Sequence, residues 1–391
     1  MMTPREILPD DHAQAVLVGR IYRADVNGPV LVLVHGTDLI DVTDLGPTMS
    51  LLLARKDLDS ALLAARSRQP LCSIDHVLNV TPNDGSSSQD HLLSPVDLQV
   101  IKAAGVTFVE SMLERVIEER SMGDSGAARK IRDELGSIIG GAIESIVPGS
   151  PEAANVKKVL IRDGLWSPYL EVGIGPDPEV FTKAPVLSSV GVGQEIGIRS
   201  TSHWNNPEPE VVLINTAEGK IVGVTLGNDV NLRDIEGRSA LLLGEAKDNN
   251  ASCALGPFIR LLTDTFSMDD VRTLDINLKV TGPEGFELNG FSSMRNISRD
   301  PESLVGHVLG DHHQYPDGFV LFTGTLFAPT QDRYSEGEGF THALGDVVSI
   351  STPKLGALIN TVTHSETATP WTYGIWKFIA NLNERNLLTT N

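Results

Sequence analysis

The chain has 391 residues and a formal charge of −20, with 51 Asp and Glu against 31 Lys and Arg. A field of that sign repels phosphate backbones and anionic lipid, which excludes nucleic acid and membrane surfaces as partners and requires a local positive focus for any small anionic substrate. A hydrophobic share of 41% and two cysteines outside any CxxC or zinc-type spacing fit a cytoplasmic globular protein with reduced thiols.

In chain order, Val16–Tyr22 and Val30–Val34 are β-branched segments punctuated by Gly28-Pro29, which predicts two strands. Thr48–Arg66 carries Leu51, Leu52, Leu58, Leu62 and Leu63 at helical spacing. Pro82–Gln89, made of Pro, Asn, Asp, Gly, Ser and Gln, reads as a linker. It sets a boundary near residue 95, between an accessory α+β domain (1–95) and a catalytic domain (96–391). Val106–Ile143 is helix-rich, with a core stripe of Val109, Met112, Leu113, Val116 and Ile117. Ser150-Pro151-Glu152 supplies an N-cap hydroxyl, a first-turn proline and an early carboxylate for a helix to about Asp163. Beyond Leu170 the chain breaks into short β segments at 211–215, 221–226, 274–280, 318–322 and 347–350. That spacing predicts an α+β, mostly β fold with a mixed or antiparallel sheet rather than βαβ units.

Glu208-Pro209-Glu210 leads directly into the apolar run Val211–Ile214. Residues two apart in an extended chain share a face, so Glu208 and Glu210 project together. If Glu218-Gly219 is a two-residue hairpin loop, paired positions sum to 437 and Asp229 lies opposite Glu208. Three acids converging in low dielectric repel one another unless a cation neutralises them, and an all-oxygen set without His or Cys suits magnesium or manganese. Downstream, Arg233 reads as a carboxylate clamp and Lys247 as a base if burial lowers its pKa. Asp311-His312-His313 reads as an ordinary loop pair.

Glu208-x-Glu210, Gly227–Asp234, Lys247, Leu255-Gly256-Pro257, Thr323-Gly324-Thr325 and Leu344–Val348 together resemble the fumarylacetoacetate hydrolase superfamily, in order, over roughly residues 96–365. The resemblance implies a catalytic domain with a rolled, mixed β-sheet, an acid-bound magnesium, 2-oxo or diketo acid substrates and a homodimer. Residue by residue it implies that Glu208, Glu210 and Asp229 hold the metal and that Lys247 is the active-site lysine. It likewise implies that Arg233, Thr325, Gly324 and Lys183 contact substrate. Where hydrolases and decarboxylases of the family carry a His–Glu dyad, this chain has Ser111 and Glu114 in Phe108–Glu114, so water activation by an imidazole is not available.

The string Asn228–Ser239, with Ala246-Lys247 and Cys253–Pro257, looks instead like the branch that dehydrates 2-keto-3-deoxy pentonates to 2,5-dioxopentanoate. The expected chemistry is β-elimination, with Lys247 as base, Glu114 or Glu110 aiding departure of the C4 hydroxyl, and Ser111 at the substrate. Two rivals are a hydrolase or decarboxylase of acylpyruvates and a noncatalytic 2-oxo-acid-binding protein. Intact acids and Lys247 argue against the second.

Overall fold

The computed structural model describes residues 2–78, 89–132, 143 and 146–388. Apart from Gln89, the expected linker 82–89 lies outside the described residues.

The architecture is α+β, with large mixed sheets and no closed barrel among the described residues. The larger sheet runs, in spatial order, through Cys72–Ser73, Asp38–Asp41, Gly28–His35, Leu17–Arg23, Cys253–Leu261, Ile221–Asp229, Pro209–Asn215, Phe319–Phe322, Val100–Gly105 and Glu179–Ala184. His91–Leu92 pairs with the Leu17–Arg23 strand off this path. The second sheet orders Glu287–Ser293, Asp275–Thr281, Val347–Thr352, Gly356–His364 and Glu195–Ile198. Among the described strands two pairings are parallel: Phe319–Phe322 with Val100–Gly105, and Gly356–His364 with Glu195–Ile198. The N-terminal strands continue the sheet that carries the three acids' strands, since Leu17 pairs with Arg260 and Val18 with Ile259.

Three central strands, Pro209–Asn215, Ile221–Asp229 and Cys253–Leu261, are buried at every position. Val211 and Leu213 enter one apolar core while Val212 and Ile214 enter another, so both sheet faces are covered. An acid placed on these strands is therefore removed from water.

The pairing between the two acid-bearing strands matches the expected register: Pro209 faces Asn228 and Ile214 faces Gly223, both summing to 437. The turn differs from expectation. Thr216 N–H donates to the Lys220 carbonyl at 3.0 Å, enclosing three residues, with Gly219 at a φ of 80° that a side chain would strain. A register shift between Ile214 and Asn215 then compensates. The longer turn and the irregularity cancel, and the Asp229 N–H donates to the Glu208 carbonyl at 3.1 Å.

Other local expectations were refined. Thr48–Arg66 forms two helices, Met49–Leu53 and Leu58–Ala65, rather than one. Gly28-Pro29 begins a strand instead of separating two, with Pro29 opposite Tyr22. Pro151–Arg162 is helical, and its Ser150 hydroxyl accepts from the Ala153 N–H at 3.1 Å. Ser150→Ala is expected to cost about 1 kcal/mol, read as a lower urea midpoint with an unchanged denaturant slope.

Candidate metal centre

Glu208 precedes the Pro209–Asn215 strand, Glu210 is its second residue, and Asp229 ends the neighbouring strand. Each is at most 2% exposed, and one carboxylate oxygen from each lies within 4.8 Å of the other two. Burial, then the charges of Asp229 and Glu208, pushes the Glu210 carboxyl well above its ordinary range. Burial would raise Asp229 too, but Lys183 and Lys247 overcome it and hold that carboxyl low.

The two lysines supply the positive focus that the chain's overall charge demands. Lys247 Nζ donates to Glu208 Oε2 at 2.5 Å and to Asp229 Oδ2 at 3.1 Å. Lys183 Nζ lies 2.8 Å from Asp229 Oδ1 and donates to the Val230 carbonyl at 3.1 Å. Lys183 reaches Asp229 from the Glu179–Ala184 strand, and Lys247 ends the short helix Leu243–Lys247. Burial works against the Lys247 charge, but Asp229, Glu208 and Glu236 outweigh it and raise the pKa. The expectation that burial lowers this pKa is thus reversed: the ammonium is stabilised while its acids stay ionised.

A cavity of about 10 Å³ opens onto these groups, lined by all three acids, Lys247, Ser111 and Thr325 among others. It is small because cationic side chains extend into it: Lys247 pairs with Glu208, and so does Arg115. The Gly324 N–H donates to Glu210 Oε2 at 2.6 Å, fixing that carboxylate from the loop after Phe319–Phe322. The Thr325 hydroxyl donates to the Phe327 carbonyl at 2.9 Å. Ser111 Oγ donates to the Phe108 carbonyl at 2.9 Å.

Three expected site residues lie elsewhere. On the Val109–Arg120 helix, Ser111, Arg115 and Glu118 share a face toward the acids. Glu110 and Glu114 sit one residue earlier, about 100° around the helix, and line a separate cleft of about 480 Å³. Glu114 is taken up by Arg132 at 2.7 Å and Arg233 at 2.8 Å. Arg233 is buried, donates to Glu118 Oε1 at 2.6 Å and stacks 4.3 Å from the Trp204 ring. It clamps protein carboxylates and does not line the acid cavity. His312 and His313 are exposed and do not line it either.

Sequence reasoning missed Arg115, Glu236 and Glu179. Arg115 joins Glu118 at 2.5 Å and Glu236 at 3.0 Å, and also pairs with Glu208. Burial raises the Glu236 carboxyl even though Arg115 and Lys247 oppose it. Glu179, half-buried at the start of its strand, lines the cavity. Burial and the Glu236 charge push its carboxyl up to about 7. One signal was available: Glu179 and Phe181 stand two apart in a strand, so they share a face, and both line the cavity.

The residues present fit a hard divalent cation. The donors are oxygen only, they converge, and they carry more negative charge than burial tolerates without compensation.

Comparison with known proteins follows the same lines. Residues 180–363 match the family model described as Fumarylacetoacetate (FAA) hydrolase C-terminal. A 2-dehydro-3-deoxy-D-arabinonate dehydratase from Saccharolobus solfataricus is 32% identical over 211 residues, covering 53% of this chain and 65% of the relative. A probable 2-keto-3-deoxyxylonate dehydratase from Haloferax volcanii is 32% identical over 195 residues, covering 50% of this chain and 63% of the relative. Each match thus spans just under two thirds of the relative's length. Among solved structures, 2-keto-3-deoxy-D-arabinonate dehydratase in its apo form superposes with a TM-score of 0.59 at 21% identity, over 89% of this chain and 99% of that one. The structure described as that enzyme complexed with magnesium and 2,5-dioxopentanoate gives a TM-score of 0.57 at 21% identity, over 89% of this chain and 99% of that one. At this identity the superpositions establish the fold.

Proposed function

We propose that this chain, whose residues 180–363 match the fumarylacetoacetate hydrolase family model, is a magnesium-dependent dehydratase converting a 2-keto-3-deoxy pentonate to 2,5-dioxopentanoate. The observation that carries the reading is the buried Glu208, Glu210 and Asp229 trio with Lys247 and Lys183 held against it. The two dehydratase relatives, and a cavity lining without histidine among the described residues, support dehydration over hydrolysis.

Glu208, Glu210 and Asp229 would hold the ion, with manganese as a substitute. Magnesium supplies a Lewis acid for the carboxylate and carbonyl oxygens of a 2-oxo acid. Lys247 is kept protonated by Glu208 and Asp229, so neutralising those acids lowers its pKa and frees it to take the C3 proton. Arg115, paired with Glu208, must also re-pair to admit a five-carbon acid, and its guanidinium suits the substrate carboxylate. Glu179 replaces Glu110 and Glu114 as the donor to the C4 hydroxyl, because it lines the cavity and they do not. The bond between C4 and its oxygen breaks, water leaves, and a C3–C4 double bond forms. A proton then leaves C5 and another joins C3, giving a 4,5-enol that tautomerises to the C5 aldehyde. Gly324 and Thr325 position Glu210 and one wall of the cavity. We assign the acting form as a homodimer, which sedimentation equilibrium tests.

Purified protein with magnesium is expected to form 2,5-dioxopentanoate from 2-keto-3-deoxy pentonate, and to leave oxaloacetate and acylpyruvate intact. Pyruvate from either comparison substrate would point to a decarboxylase or hydrolase, and no product from any would point to binding alone.

Glu179 adds a pH prediction. As the acid it acts protonated, so turnover falls as pH rises through about 7, and Glu179→Gln removes that limb together with most of the rate. Its folded pKa lies above the ordinary 4.5, so the folded state binds more protons between these values and loses stability as pH rises across them. Glu179→Gln should flatten that part of a stability-versus-pH curve; an unchanged curve and rate profile would remove Glu179 from the mechanism.

A further inference from the structure

One wall of the acid cavity is built from consecutive residues, Ala104, Gly105 and Val106, where the Val100–Gly105 strand ends. Gly105 stands directly opposite Glu179 in the neighbouring strand. Side chains at paired positions normally lie side by side, about 5 Å apart at their β-carbons. Here one of the two is absent, and the Glu179 side chain folds across the space. A Cβ built on Gly105 would overlap Glu179 Oε2 and would stand 2.8 Å from its Cδ and 3.4 Å from its Cγ. Ordinary carbon contact is about 3.5–4.0 Å. Burial and the charges of Glu236, Arg115, Lys247 and Glu208 act on the Glu179 carboxyl, and no hydrogen bond among the described residues holds it. Its place is set by shape.

The wall beneath it is anchored. Val106 has a φ of 58°, in the left-handed region that a β-branched residue rarely enters. Thr107 holds that turn from two directions: its hydroxyl donates to the Thr323 carbonyl at 2.6 Å, and its carbonyl accepts the Ser298 N–H at 2.8 Å. Gly324, next in the chain after Thr323, donates its N–H to Glu210 Oε2 at 2.6 Å. One short turn therefore ties the surface under Glu179 to the loop that fixes Glu210.

We propose that Gly105 is a positioning residue: by presenting no side chain it lets the Glu179 carboxyl lie against the strand, at a fixed place relative to Glu208, Glu210 and Asp229. This role rests on the reading of Glu179 as the acid that serves the C4 hydroxyl.

Gly105→Ala tests it. Gly105 lies outside the left-handed region, so its backbone admits alanine, and the nearest atoms to the new methyl all belong to Glu179. On 2-keto-3-deoxy pentonate with magnesium, kcat should fall about 10²-fold, the usual effect of misplacing a reacting group by about 1 Å. KM and the magnesium Kd should stay within about twofold of wild type, since ground-state binding is untouched. In a Glu179→Ala background the clashing atoms are gone, so adding Gly105→Ala should change neither kcat nor the urea midpoint. A crystal structure of Gly105→Ala, which needs no turnover, should show the Glu179 carboxyl moved off the strand and the acid trio in place.

Normal kcat in Gly105→Ala beside an impaired Glu179→Ala would overturn the positioning role and leave the acid assignment standing. A Glu179 carboxyl that keeps its place, or a further loss of rate or stability in the double variant, would overturn it as well, the last by showing that the glycine serves the fold. Normal turnover in Glu179→Ala would remove the acid assignment itself, and the positioning role with it.

Discussion

Lys247→Met is expected to reduce kcat on 2-keto-3-deoxy pentonate by about 10²–10⁴-fold, the usual contribution of a positioned acid or base. Magnesium should still bind. Lys247 is 3% exposed, and its ammonium contacts two of the three clustered acids, at 2.5 Å from Glu208 and 3.1 Å from Asp229. Methionine fills a similar volume without a charge, so the acids lose a competitor for the cation and the magnesium Kd should stay the same or fall. A merely structural lysine would give the opposite pattern, with metal affinity and fold declining together. Steady-state kinetics beside magnesium titration calorimetry separates the two, and near-normal kcat would take Lys247 out of the chemistry.

Asp229→Ala should have the largest effect on the fold. It removes the carboxylate that lies 2.8 Å from the fully buried Lys183 and 3.1 Å from Lys247. Lys247 retains Glu208, but Lys183 is left with backbone carbonyls and the Ser252 hydroxyl as partners. Breaking a buried pair from one side costs about 3–5 kcal/mol. Unfolding in urea should show that loss, and magnesium binding should disappear. Adding Lys183→Met should recover much of the stability, because the orphaned charge is gone, but none of the metal affinity. The pH dependence has a definite sign. The folded Asp229 pKa lies below its ordinary 3.8, so the pair's contribution is present above that value and fades as pH falls through the lower folded one. Wild type should therefore lose stability on acidification more steeply than Asp229→Ala.

The acid trio was legible in the sequence because two independent patterns met. Glu208 and Glu210 have the strand spacing, and Glu218-Gly219 marks a reversal that folds Asp229 back onto them. The register held although the turn was misread, since the irregularity between Ile214 and Asn215 offsets the longer loop. The apolar demand of both sheet faces explains this: a net slip by one residue would turn Val211 and Val212 into each other's cores. Ser150 was equally readable, because a cap is a local interaction.

What stayed hidden depends on packing between distant segments. Glu110, Ser111, Glu114 and Arg115 are all polar and within five residues of one another. Only the docking angle of their helix decides that Ser111 and Arg115 meet the acids while Glu114 meets Arg233 and Arg132. The resemblance made Arg233 a substrate contact, but its guanidinium is taken up by Glu118 and Glu114, which lie 115 and 119 positions away in the chain. Glu179 and Glu236 look like ordinary surface acids until burial raises their carboxyls. The contact of Leu17 with Arg260, which joins the N-terminal strands to the acid-bearing sheet, leaves no trace in local composition.

The direct test is the position of a cation. In crystals soaked with manganese, anomalous density is expected as a single peak between Glu208, Glu210 and Asp229, with the Lys247 ammonium displaced from Glu208. Density elsewhere, with Lys247 and Lys183 still paired to those carboxylates, would contradict the account.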